Sequence, residues 1–114
     1  MASNWIGKVA RNKIYQRDHM TCCYCGKVCK KYDGHMDLDT VTLDHVVSQK
    51  ELLEVSLDDA DFSKKRKDAK NIVVACNGCN ASKKHHSLYA WCVITNKNYG
   101  AILVEIGTRI QKGI

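Results

Sequence analysis

The sequence of 114 residues contains no proline, so its turns depend on other residues. Glycine, asparagine and aspartate must supply them. Internal repeats, low-complexity tracts and linker-like segments are also absent. A chain of this length forms one domain with a modest core, and chains this small often depend on a metal ion or a disulfide for stability.

Long apolar stretches are missing as well. The N-terminal segment MASNWIGKVARNK lacks the apolar region of a signal peptide, and no run is long enough to cross a bilayer. We therefore expect an intracellular, cytoplasmic protein without a membrane partner. In a reducing compartment, seven cysteines that include Cys-x-x-Cys units favour metal binding over disulfides.

Acidic residues are scarce outside one segment. Residues 33–61 hold nine of the twelve acids and a single base, Lys50, which gives a local charge of −8 in a chain of net charge +6. The other residues carry 17 bases and 3 acids, a surplus of +14. Such a surplus suits a polyanionic partner such as nucleic acid, although the run KKRK at 64–67 also fits a solvated surface.

The pattern of apolar residues predicts a pair of strands among helices. NWIGKVARNKIYQRD has helical spacing, as does the tail, where Ile102, Ile106 and Ile110 lie four apart. MDLDTVTLDHVV and NIVVAC indicate extended segments, and NGCNASKKHHSLYAWCVI indicates a helix. Residues 48–70 between the strands are polar and charged. Their expected inward anchors are Leu52, Leu53, Val55 and Leu57.

Two Cys-x-x-Cys pairs form the strongest metal signal: Cys22 with Cys25, and Cys76 with Cys79. Two intervening residues let a tight turn aim both thiolates at one ion, and two such turns complete a tetrahedral zinc site. Four thiolates leave no open position, so this zinc would be structural. The alternative is two free, buried cysteine pairs. Three cysteines remain: Cys23, Cys29 and Cys92. The role of Cys23 stays open, and the simplest role for Cys29 and Cys92 is burial as small hydrophobic residues.

An Asp-His pair lies between the cysteine pairs, in VTLDHVVSQ at residues 41–49. His45 suits a general base because the ordinary pKa of histidine lies near neutrality. Asp44 precedes it in a predicted strand and would point to the opposite face unless the chain bends there. Taken singly, His45 also fits an ordinary half-buried histidine, and Asp44 also fits an aspartate that caps a turn.

The order of these motifs is Cys22-x-x-Cys25, Asp44-His45, Asn71 and Cys76-x-x-Cys79-Asn80-x-x-Lys83. It resembles the HNH endonucleases, the ββα-metal or His-Me finger nucleases whose finger is held by a zinc-binding cysteine quartet. The resemblance runs from about residue 17 to residue 83, more than half of the chain. The segments that carry it are RDHMTCCYCG, LDHVV and NIVVACNGCNASK.

The resemblance implies an α+β fold: a small zinc-stapled ββα-metal finger, a β-hairpin plus helix of treble-clef-like form. The helical patterns at the two ends of the sequence add flanking N- and C-terminal helices. The first strand would end at Asp44-His45, the second would be Ile72 to Ala75, and the helix would begin near Cys76. Residues 1–114 would form a single HNH nuclease domain. Its parts would be a core finger at about 17–86, an N-terminal helix at 1–16 and a C-terminal helical extension at 87–114.

The same resemblance implies a metal-dependent DNA endonuclease that hydrolyses phosphodiester bonds, by nicking or by double-strand cleavage. His45 would be the general base, and Asp44 and Asn80 would bind one catalytic divalent cation. Their oxygen ligands suit Mg²⁺ or Mn²⁺. Asn71, the fourth catalytic residue, would pin the loop that aims His45. Lys83, one turn after Asn80, would contact the substrate phosphate.

Two positions depart from the pattern of many relatives: Asn80 replaces a histidine, and Ser48 replaces a proline. The expected partner is double-stranded DNA, read with low sequence specificity. A homodimer, a larger complex and roles for His85 and His86 are left open. The resemblance also favours a bacterial or phage-type setting. The competing interpretations are a non-catalytic zinc-stapled DNA-binding module and a redox protein that uses its Cys-x-x-Cys pairs.

Overall fold

The structure, a computed structural model, describes residues 5–112 as a two-stranded antiparallel sheet with six α-helices around it. This architecture confirms the expected α+β class. The strands are β1 (Val41–His45) and β2 (Ile72–Cys76). The helices are α1 (Lys8–Arg17), α2 (Gln49–Val55), α3 (Asp59–Arg66), α4 (Asn77–Lys83), α5 (Leu88–Thr95) and α6 (Tyr99–Lys112). Within this part of the chain, no helix combines the length and apolarity that crossing a bilayer requires.

The two strands pair with Val41 opposite Cys76 and His45 opposite Ile72. All five residues of β2 are buried, because its apolar, mostly β-branched run is covered on both faces. β2 matches the predicted extended segment, whereas β1 is shorter than predicted. The chain turns before β1, where the amide of Asp37 donates to the Thr40 hydroxyl at 2.9 Å.

A buried network attaches the first and last helices to the sheet. The Asp18 carboxylate accepts hydrogen bonds from Arg17 Nε at 2.6 Å, from the Val74 amide at 2.8 Å and from Arg109 Nη1 at 3.2 Å. Arg17 Nη2 also donates to the carbonyl of Ile72 at 2.5 Å. These bonds satisfy the buried charges and fix α1 and α6 against β2. The predicted start of the first helix falls partly at residues 1–4, outside the described residues, and α1 begins at Lys8.

The prediction of one continuous helix over residues 77–94 is wrong, because the chain divides there into α4 and α5. Lys84 ends α4 with a positive φ of 49°. Ser87 then caps α5 by accepting a hydrogen bond from the Ala90 amide at 3.1 Å. The break reorients α5 so that Trp91 packs edge-on against Tyr24, with ring centroids 5.1 Å apart.

The helices between the strands bury fewer apolar side chains than predicted. Of the four expected anchors only Leu52 is buried, while Leu57 is 92% exposed and the other two are also exposed. Ser48 and Glu51 form a capping box that fixes the start of α2. In a helix of only seven residues, one position faces the core. By contrast, the predicted C-terminal helix is present as α6, with Ile102 and Ile106 buried.

Candidate functional site

The four predicted cysteine ligands meet at one point. The sulfur atoms of Cys22, Cys25, Cys76 and Cys79 all lie within 4.8 Å of one another. Zinc–sulfur bonds of about 2.3 Å in a tetrahedron place neighbouring sulfur atoms about 3.8 Å apart. The sulfur atoms of Cys25 and Cys76 are 3.8 Å apart. This cluster therefore fits one structural metal ion such as zinc.

Local hydrogen bonds favour a thiolate at Cys22. The backbone amides of Tyr24 and Cys79 donate to the sulfur atoms of Cys22 and Cys76, each at 3.4 Å. A hydrogen bond from the Cys79 thiol holds the pKa of Cys22 far below its ordinary value of 9.0, at about 4. The same hydrogen bond raises the pKa of Cys79, and burial raises that of Cys25. Since the thiolate is the form that binds metal, binding of an ion would release the protons of these thiols.

The remaining three cysteines are buried outside the cluster. Burial raises the pKa of both Cys23 and Cys29 to about 12, so these side chains are protonated thiols at neutral pH. Cys92 packs in the hydrophobic core. None of the three has the depressed pKa of a reactive thiol.

A cavity of about 280 Å³ lies at the end of β1. β1 contributes Asp44 and His45 to its wall, and α4 contributes Asn80. The other lining residues are Trp5, Leu43, Ser48, Gln49, Lys84 and His85. The fold therefore brings together a carboxylate, an imidazole and an amide that are distant in the sequence.

Asp44 and His45 reach the same cavity although consecutive strand residues normally face opposite sides. β1 ends at His45, and the chain bends at Val46 and Val47 immediately afterwards. Because the strand ends here, the side chains of Asp44 and His45 need not face opposite sides. The bend after His45 is therefore the local bend that a shared role for both residues requires.

The His45 ring is held in one tautomer. Its Nε2 lies 2.7 Å from the backbone carbonyl oxygen of Arg66, which can only accept a hydrogen bond, so Nε2 carries the proton. Nδ1 is then unprotonated, and it has no hydrogen-bond partner in residues 5–112. Burial lowers the pKa of His45 below its ordinary value of 6.5. The ring is therefore neutral near pH 7 and can accept a proton at Nδ1.

Only one oxygen of Asp44 is engaged. Oδ2 accepts a hydrogen bond from the Tyr24 hydroxyl at 2.5 Å and lies 3.2 Å from Lys83 Nζ. Oδ1 has no hydrogen-bond partner in the described part of the chain. Burial raises the pKa of Asp44, and the positive charge of Lys83 opposes that rise. The carboxylate is thus fixed through one oxygen and has the other available for a ligand.

The two asparagines bind β1 and the bend that follows it. The Asn71 side chain accepts a hydrogen bond from the Val47 amide at 2.8 Å and donates to the Val47 carbonyl at 3.0 Å. This double contact fixes the bend after His45. Asn80 Nδ2 donates to Thr42 Oγ1 at 3.0 Å and to the Leu43 carbonyl at 3.2 Å. These bonds orient the amide of Asn80 and leave its oxygen without a partner among the described residues.

Lys83 does not lie where a substrate contact would require it. Its side chain has no exposed surface, and Nζ donates to the His45 carbonyl at 2.9 Å while pairing with Asp44. A fully buried ammonium cannot reach a phosphate in solution, so the predicted phosphate contact is corrected to a structural one. The i, i+3 spacing already placed Lys83 on the face of Asn80, and that face packs on β1. Lys84, exposed and on the cavity wall, is the neighbouring base that a phosphate can meet.

Several site residues have no signal in the local sequence. The ring of Trp5 lies 4.6 Å from that of His45, and Tyr24 binds Asp44 from within the first cysteine turn. Arg66 contributes only its carbonyl. Of the two adjacent histidines, His85 lines the cavity and His86 does not.

No protein-family model, curated protein or solved structure matches this chain. The functional interpretation therefore depends on the geometry of the site.

Proposed function

We propose that the protein is a metal-dependent endonuclease that hydrolyses phosphodiester bonds in double-stranded DNA inside the cell. In this proposal β1, β2 and α4 form a ββα-metal finger of treble-clef-like form, and zinc at the cysteine cluster fastens the hairpin to the helix. The observation that carries the proposal is the cavity shared by Asp44, His45 and Asn80.

His45 acts as the general base. Hydrolysis requires a group that takes a proton from the attacking water as the new P–O bond forms and the bond from phosphorus to the 3′ oxygen breaks. The 3′ oxygen takes up a proton from solvent and leaves as a hydroxyl. Nε2 is occupied by the Arg66 carbonyl, so Nδ1 is the atom that receives this proton. The nearby negative charge of Asp44 favours the imidazolium that results.

Asp44 and Asn80 fit a divalent cation through Oδ1 of each side chain. Both residues line the cavity, and both atoms lack a hydrogen-bond partner in residues 5–112. A carboxylate and an amide oxygen suit Mg²⁺ or Mn²⁺, with water filling the remaining positions. When bound, such an ion supplies positive charge to the phosphate and to the leaving oxygen. Lys83 pairs with Oδ2, and its positive charge opposes the rise in the pKa of Asp44 that burial causes.

The competing function is a zinc-stapled DNA-binding module without catalysis. The net charge of +6 supports DNA binding in either case, so charge does not distinguish the two. The unoccupied Nδ1 of a neutral histidine favours the enzyme. A redox function is disfavoured because the two Cys-x-x-Cys pairs form one cluster with all four sulfur atoms within 4.8 Å, which suits a single ion better than two separate redox pairs.

The test is nicking of supercoiled plasmid DNA by the zinc-loaded protein with Mg²⁺ or Mn²⁺. We expect cleavage by the intact protein and a loss of roughly 10²- to 10⁴-fold in His45→Ala, the range for removing a general base. The matched control is His86→Ala, an exposed histidine outside the cavity, which should cut at the normal rate. An intact protein that binds DNA but cuts it with neither ion would establish the binding module instead.

A further inference from the structure

Helix α3 separates its charges by sign along its length. Its first turn carries Asp59 and Asp61, and its last turn carries Lys64, Lys65 and Arg66. The eight residues of α3 span about 12 Å at 1.5 Å per residue. The acidic residues therefore lie at the N-terminal end of α3, and the basic residues lie at its C-terminal end.

The basic end is the one that borders the catalytic imidazole. The carbonyl of Arg66 accepts the hydrogen bond from His45 Nε2 at 2.7 Å. The chain then passes through a 3-10 turn at Ala69–Asn71, whose last residue binds Val47. Residues 64–70, here called the basic segment, are thus held beside the end of β1 by the carbonyl of Arg66 and, one residue after the segment, by Asn71.

Most of the positive charge in the basic segment is not used within the fold. The segment holds five bases and one acid, a net charge of +4. Lys64, Lys67 and Lys70 are exposed, and their side chains make no ion pair or hydrogen bond in residues 5–112. Lys65, by contrast, pairs with Asp61 at 2.9 Å. The exposed lysines therefore remain available to an anion.

Arg66 has a donor that is buried beneath this surface. Its guanidinium packs over the Phe62 ring at 5.8 Å, and its buried Nε has no hydrogen-bond partner among the described residues. A buried donor without an acceptor is costly. Because this Nε is closed to solvent, it cannot meet an incoming phosphate, and the contact with an anion falls to the exposed lysines of the segment.

We propose that the basic segment binds the phosphodiester backbone of duplex DNA next to the bond that His45 attacks. The inference rests on the proposed nuclease function and identifies the surface that presents the substrate. Flexible lysines act as point charges toward phosphates and carry no base-reading geometry, so the contact is independent of sequence. Lys84, which lines the same cavity as His45, is a second exposed base that the same DNA strand can meet.

The test compares two triple variants in the His45→Ala background, where binding is measured without cleavage. The first removes the charges of the basic segment: Lys64→Gln, Lys67→Gln and Lys70→Gln. The matched control removes three exposed lysines from other parts of the fold: Lys13→Gln, Lys27→Gln and Lys112→Gln. The measurement is the affinity for a short duplex at several salt concentrations, with circular dichroism to verify the fold of each variant.

Each phosphate contact contributes about 0.9 to the slope of log affinity against log salt concentration. We expect the slope of the first variant to fall by about 2 to 3 and that of the control by less than about 1. Equal losses in both variants, or an unchanged slope in the first, would overturn the proposal. Because the assay needs no cleavage, a protein that never cuts DNA but shows the expected slopes would refute only the nuclease proposal.

Discussion

Replacing Lys83 with methionine tests whether a buried ion pair supports the candidate site. Methionine replaces the unbranched apolar stem of the lysine, from Cβ to Cε, and removes its charge. In the intact protein Lys83 Nζ lies 3.2 Å from Asp44 Oδ2 and donates to the His45 carbonyl at 2.9 Å. The substitution leaves the Asp44 carboxylate buried with only the Tyr24 hydroxyl as a partner, and leaves the carbonyl without its donor.

The expected loss is large because both charges are almost inaccessible to solvent. The side chain of Lys83 is 0% exposed and that of Asp44 is 7% exposed. Removing one partner of such a pair costs about 3–5 kcal/mol, a major part of the 5–15 kcal/mol that stabilises a typical domain. The remaining packing of the methionine stem changes this loss little.

The loss should depend on pH with a definite sign. Burial raises the pKa of Asp44 in the folded state above its ordinary value of 3.8, and without Lys83 the rise is greater. A raised carboxyl pKa destabilises the fold as pH increases through that pKa, because the folded state then has to ionise a buried acid. The difference in the free energy of unfolding should therefore be largest near pH 7 and shrink toward pH 4.

The measurement is urea unfolding of the zinc-loaded protein without added Mg²⁺ or Mn²⁺. Lys84→Met, which removes an exposed lysine at the next position, should change the free energy of unfolding by no more than about 0.5 kcal/mol. Adding Asp44→Asn to Lys83→Met should recover much of the loss, since it removes the unpaired charge. The interpretation is refuted if Lys83→Met is as stable as Lys84→Met, or if it lowers the salt slope of DNA binding as a phosphate contact would.

Three further predictions concern the metal, the base and the loop. The intact protein should contain one zinc ion per chain by mass spectrometry, and its circular dichroism signal should be lost when the zinc is chelated. The variant Cys79→Ser should lose the metal, whereas the control Cys92→Ser should retain it. Because burial lowers the pKa of His45 below 6.5 and the base must be neutral, the cleavage rate should fall as pH drops through that lowered pKa and be level near pH 7. A rate that still rises tenfold per pH unit above 7 would point to another base. Asn71→Ala removes two hydrogen bonds to Val47 and should lower the free energy of unfolding by about 1–3 kcal/mol. It should also remove most of the cleavage rate without weakening DNA binding. Normal cleavage by this variant would contradict the role of Asn71 in pinning the loop.

Local sequence patterns predicted the elements that local physics governs. The apolar run of β2 and the cysteine turn at the start of α4 lie where the sequence indicates, because strand propensity and the Cys-x-x-Cys spacing act over a few residues. The break between α4 and α5 was missed. It depends on a positive φ at Lys84, a residue whose type does not signal such a conformation.

By itself, the sequence determined which chemical groups the protein has and which of them share a helix face or a turn. It thereby indicated the four-cysteine cluster and placed Lys83 on the same face as Asn80. Only the tertiary structure decided that this face packs on β1, which turns Lys83 from a surface charge into the buried partner of Asp44. It also placed the basic end of α3 beside His45. Periodicity specifies which side chains lie together along an element, whereas burial and long-range contacts depend on how the elements pack.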